Sequence, residues 1–156
     1  MSFVVSALPV DQFAPLFGLS DEALAERGVV RRTVDARPGF PCRVSLDDPQ
    51  PGETVLLLNY EHQSADTPFR ARHAIYVRET AVTAQPAVGE VPPSLRARDA
   101  ISLRAFDETG MMIAAEVAPG HDLEPAIARL LDKPRAAYLH AHYAAMGCYA
   151  ARIDRA

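Results

Sequence analysis

Tryptophan is absent, cysteine occurs twice, and Lys133 is the only lysine among 16 basic residues. Two cysteines cannot build the disulfide framework of a small secreted domain, so Cys42 and Cys148 read as thiols of a reducing compartment. No apolar run approaches the ~20 residues of a membrane-spanning helix. Residues Met1 to Val10 lack the basic flank and apolar stretch of a secretory signal, so a cytoplasmic protein is expected, without membrane association. Charge of one sign is also scarce. A net charge of -4 over 156 residues argues against a nucleic-acid-binding surface. The arginine bias fits codon usage, and it also fits guanidinium forks that clamp anions, a task lysine does poorly.

What remains is an ordinary globular composition, 49% hydrophobic and 23% charged. A chain of this length can bury roughly 70% of its unfolded surface, enough for one core, and residues 1–156 are expected to form a single domain. Phe3 to Leu8 opens as a strand closed by Pro9. Asp11 and Ser20 are candidate helix caps, the second followed by Asp21, Glu22 and Glu26 and ended by Gly28. Residues 29–35 read as a strand, and Val44 and Leu46 as part of a short one. Val55-Leu56-Leu57-Leu58 implies a strand covered on both faces, which turns polar at Asn59-Tyr60-Glu61-His62 with Tyr60 and His62 on one side.

Further along, Ile75 and Val77 mark another strand. Residues 100–106 and 111–117 flank Asp107-Glu108-Thr109-Gly110, a hairpin signal. Leu123, Ile127, Leu130 and Leu131 lie at helical spacing before Pro134. The tail from Ala136 to Asp154 carries alanines that favour helix, yet its tyrosines and the Ala145-Met146-Gly147 punctuation suit a hairpin. The fold expected is α+β: a mainly antiparallel, strongly bent or barrel-like sheet of about seven or eight strands, with two or three short helices.

The tail hairpin decides which side chains meet. A three-residue loop, Ala145-Met146-Gly147, pairs Ala144 with Cys148, His142 with Ala150 and His140 with Arg152. Alternation then places His140, His142, Cys148 and Arg152 on one face. A four-residue loop would instead send Cys148 to the other face. On the shared face, Cys148 is a candidate thiolate nucleophile. His142 or His140 would serve as base, and Arg152 or Arg43 would lower the thiol pKa. The same His-x-His could offer two imidazoles to zinc, with Cys148, Cys42 or His62 completing the set. No CxxC or HExxH motif supports zinc, which stays the minor reading. Tyr60, His62, Arg43, Arg152 and Cys42 are the candidate ligand-binding residues, whereas His73 and His121 have no partner.

Several stretches together resemble a bacterial family known only as a domain of unknown function, number 1203. They are Pro38-Gly39-Phe40-Pro41-Cys42-Arg43, Pro51-Gly52-Glu53 through Tyr60-Glu61-His62, Pro68-Phe69-Arg70, Ile75-Tyr76-Val77-Arg78-Glu79, His140-Ala141-His142 and Gly147-Cys148 through Arg155. Tyr143 stands where that family usually has a polar residue, and Met146 near a basic one. The resemblance implies a shared fold and a shared pocket and supplies no reaction. Two functional classes follow from the residues. One is a small enzyme with a Cys/His/Arg pocket for a small polar or anionic substrate. The other is a non-catalytic module that binds a small anion or a partner, its histidines being structural. An unprotected sheet edge would also let two copies pair as a homodimer.

Overall fold

A computed structural model describes residues 1–156. Eight strands pair antiparallel throughout: β1 (Phe3–Ser6), β2 (Val30–Thr33), β3 (Thr54–Gln63), β4 (Ala71–Arg78), β5 (Ile101–Phe106), β6 (Met112–Ala118), β7 (Tyr138–Tyr143) and β8 (Tyr149–Arg155). They form two open sheets, one of five strands in the order β1-β8-β7-β5-β6 and one of three in the order β2-β3-β4. The α+β class and the strand number match the sequence reading. The single bent or barrel-like sheet does not.

Two segments add no strand to either sheet. Val44 and Leu46 form no strand: Leu46 N–H donates back to Cys42 O, and Leu46 takes a positive φ of 54°. The β4–β5 connection carries Pro86, Pro92 and Pro93, which have no N–H to give a ladder. Instead it makes the short helix α2 (Pro93–Arg96).

Each sheet has its own core. On one face of the larger sheet, Ile101, Leu103, Leu139, Ala141 and Ile153 are buried against helix α3 (Glu124–Leu131). Helix α3 supplies Ala126, Ile127, Leu130 and Leu131 from its apolar stripe. Pro125 sits in its first turn, where the missing N–H costs nothing. The second core joins Leu56, Leu58, Ile75 and Val77 of the smaller sheet to Leu24 of helix α1 (Asp21–Glu26). Ser20 caps α1 by accepting the Ala23 N–H at 3.1 Å. The segment after Asp11 makes two single 3₁₀ turns where a short helix is expected. Tyr149 of β8 belongs to this second core, although its strand lies in the larger sheet. The two sheets therefore meet where β3 crosses the β7–β8 hairpin. No helix is long and apolar enough to cross a membrane.

Candidate metal centre

Hydrogen-bond register sets the face that the larger sheet turns toward β3. Arg104, His140 and Arg152 are opposed across β5, β7 and β8, and so are Ser102, His142 and Tyr149. Opposed residues share a face, so His140 and His142 look away from the α3 core and toward the smaller sheet. There they meet His62. Its ring centroid lies 5.0 Å from that of His142 and 6.3 Å from that of His140.

Two β-bulges produce this meeting. His62 is the unpaired residue between Glu61 and Gln63 in the β3–β4 ladder. A bulge bends its strand and re-aims side chains, and here two consecutive residues reach β7. His62 faces the imidazoles, and Gln63 Nε2 donates to the Tyr138 hydroxyl at 3.0 Å. The second bulge is at Ala150, between the pairs Ala141–Ala151 and His142–Tyr149. It brings the Tyr149 ring onto the face that Arg152 already occupies. That ring stacks on His62 at 5.5 Å and 11° and stands edge-on to both other imidazoles.

One ring nitrogen from each of His62, His140 and His142 lies within 4.8 Å of the others, and no carboxylate or thiol joins the group. Each ring also has a buried nitrogen without a hydrogen-bond partner: Nδ1 of His62, Nδ1 of His140 and Nε2 of His142. The chain has one other such side-chain atom, Ser94 Oγ, so the unsatisfied polar atoms are concentrated here. Burying a polar atom unpaired costs about 1–3 kcal/mol, so that cost is concentrated at one place in the fold. Burial pushes the His140 and His142 pKa values down to about 3 and that of His62 to about 4. Arg104 adds to the effect on all three. At neutral pH each ring is uncharged and carries a lone pair.

His142 shows most clearly how such a ring is set. Its Nδ1–H donates to Gly147 O at 2.9 Å, which leaves the lone pair on Nε2. This backbone bond is of the kind that orients metal-ligating histidines. Gly147 holds a φ of 79°, a left-handed conformation that glycine adopts without strain. Arg104 is half-buried on the same face, and its one side-chain hydrogen bond goes to Ser102 Oγ at 3.3 Å. It has no carboxylate partner.

The remaining sequence-derived candidates disperse. The tail loop has four residues, Ala144 to Gly147, with Tyr143 N–H donating to Cys148 O and Gly147 N–H to Tyr143 O. Cys148 therefore pairs with Tyr143, not Ala144. It faces a cavity on the opposite side of the hairpin, lined also by Arg43 and Arg98. His142 opposes Tyr149 where Ala150 was expected, because the longer loop shifts the pairing by one residue; the bulge at Ala150 then restores the expected pairs from Ala141–Ala151 onward. His140 does oppose Arg152, whose guanidinium lies 3.9 Å from the Tyr138 ring centroid and is held by Asp154. With the sulfur turned away, Cys148 cannot draw on His140 or His142 as a base.

Cys42 is fully buried in the second core, its sulfur accepting the Ser45 and Arg78 N–H groups at 3.3 and 3.2 Å. Tyr60 packs between Phe13 and Tyr149, and burial raises its pKa. Arg43 lies across the hairpin from the imidazoles. Tyr149 and Arg104 escape a sequence reading because their placement depends on a bulge and on the β5–β7 register. The largest surface groove, about 490 Å³ between the Asp107 loop and Arg155, is a separate feature, where Arg135 holds Asp107 and Arg155 donates to Ala136 O.

Neither a curated protein nor a solved structure matches the chain. A family model does match residues 39–155, a stretch that contains all three imidazoles and the whole tail hairpin, and its description is Protein of unknown function (DUF1203). The chain belongs to that family.

Proposed function

We propose that the protein binds one divalent first-row transition-metal ion through His62, His140 and His142, with a coordination position left for water or a small anionic ligand. The observation that carries this reading is the convergence of three neutral imidazoles, each with a buried, unpartnered nitrogen, from two different sheets. Imidazole suits zinc, copper, nickel and iron, whereas magnesium and calcium require oxygen ligands. Three nitrogens at zinc-bond length stand about 3.4 Å apart in a tetrahedron, so binding draws the rings inward by up to about 1.4 Å.

Three protein ligands with a fourth position open is the arrangement of catalytic zinc, and structural sites use four. A bound ion of this kind acts as a Lewis acid and makes its water acidic. With three uncharged ligands the ion keeps its full double charge. The half-buried Arg104 adds another positive charge beside it. Both features favour a small polar or anionic substrate over a cationic one. The thiolate chemistry considered for Cys148 has no place in this centre.

Titration of chelator-treated protein with Zn²⁺ and Co²⁺ tests the reading. Saturation at one ion per chain is expected, with at least 100-fold weaker binding in His62→Ala, His140→Ala and His142→Ala. Unsaturable binding, or equal affinity in a folded His140→Ala variant, would overturn it.

A further inference from the structure

The cavity on the other side of the β7–β8 hairpin encloses about 220 Å³. Arg43 lines it and is 1% exposed. Two of its five N–H donors are used: Nε gives to Tyr149 O at 2.8 Å and Nη1 to Pro41 O at 2.6 Å. Nη2 makes no hydrogen bond, and no carboxylate pairs with the group. A buried guanidinium without a counter-charge is costly, and removal of its charge by deprotonation is not open to arginine.

The other charges nearby cancel. Arg98 is held by both oxygens of Asp48, at 2.7 and 2.9 Å. Tyr143 separates the two arginines, each guanidinium 5.0 Å from its ring centroid. Pro38, Pro41 and Met146 give the remaining walls an apolar character, and Cys148 lies half-buried among them. The prolines and the backbone bond from Arg43 N–H to Tyr76 O hold the arginine segment in place without a ligand.

We propose that this cavity binds a small monocarboxylate, its charge meeting the free Nη donors of Arg43 and its short apolar body lying against Pro41, Tyr143 and Met146. One uncompensated positive charge matches one negative charge. A phosphate dianion would bring a second charge and oxygens that the apolar walls cannot satisfy. The volume lies below the ~300–1,000 Å³ typical of drug-sized ligands, which limits the acid to a few carbons. The site shares no side chain with the three imidazoles, so either can fail without the other.

Cys148 reports on occupancy, because Cys42 is fully buried and shielded from reagents. Alkylation of the native protein by iodoacetamide is followed in the presence of propionate, butyrate or inorganic phosphate, with mass spectrometry locating the label. Butyrate is expected to slow labelling of Cys148 at least tenfold in a saturable way, and phosphate less than twofold. Arg43→Gln is expected to abolish protection. Met146 is 78% exposed, so Met146→Trp narrows the cavity mouth without touching a core. It is expected to weaken protection tenfold, and it decides the matter if Arg43→Gln does not fold. Absence of protection by either carboxylate, protection equal in Arg43→Gln, unchanged protection in Met146→Trp, or stronger protection by phosphate would each overturn the proposal.

Discussion

His140 is buried between two arginines of its own row, with Phe106, Tyr138 and Tyr149 packed about its ring. In the unfolded chain a histidine titrates near 6.5, while in the fold His140 and His142 do so at about 3. As pH falls, the unfolded chain takes up these protons first, and protons therefore favour unfolding. The metal-free protein should be most stable above pH ~6.5 and lose stability progressively from there toward 3. His140→Phe removes one of these protons and one unsatisfied nitrogen. Its stability should equal or exceed that of the parent at neutral pH, with the slope against pH shallower by about 1.4 kcal/mol per unit between 4 and 6. Urea denaturation with chelator at several pH values checks both, and a large loss of stability at pH 7 would show that the ring is needed for packing. The same variant should bind no metal. In the proposed metal site His140 would supply its lone pair at a cost to the stability of the apoprotein.

Most elements were legible in the sequence, because local signals declare them. Ser20 before Asp21 and Glu22 marks a helix start, the Asp107–Gly110 turn a hairpin, and Leu123 to Leu131 an amphipathic helix; each lies where expected. The bulges at His62 and Ala150 have no such signal. They arise from how strands of different sheets must meet, and they determine whether Tyr149 and His62 reach the imidazoles. The tail loop failed on one residue of register for a related reason: Gly147 suits a three- or a four-residue loop, and the Tyr143–Cys148 backbone bond selects the longer.

Gly147→Ala strains a left-handed residue whose carbonyl orients His142, so metal affinity should fall about 10–100-fold with the fold retained. Isothermal titration measures the loss, and unchanged affinity would deny Gly147 that orienting role. At Gly120 a Cβ would stand 2.0 Å from Leu95 O and 2.6 Å from Arg98 O, backbone atoms about α2 that cannot swing aside. Gly120→Ala should therefore destabilise by more than about 2 kcal/mol in chemical denaturation, with metal affinity unchanged in the folded fraction.

Over the whole molecule, the separation into two sheets gives the proposed metal centre its position. His62 comes from the three-stranded sheet and the other ligands from the five-stranded sheet, so a bound ion ties together two cores that otherwise meet through Tyr149 and its neighbours. Binding only to the folded chain adds about 2.7 kcal/mol at a metal concentration 100 times Kd, roughly 5–10 °C in Tm for a protein of this size. Calorimetric scans with and without Zn²⁺ should show that rise, and its absence in His62→Ala would locate the link between the sheets. The most direct measurement is X-ray absorption at the zinc edge of the singly loaded protein. Three imidazoles at ~2.0–2.1 Å with one further oxygen or nitrogen is the result a three-histidine centre requires. A sulfur neighbour near ~2.3 Å, the signature of Cys148 or Cys42 as a ligand, would contradict it, as would fewer than three imidazoles.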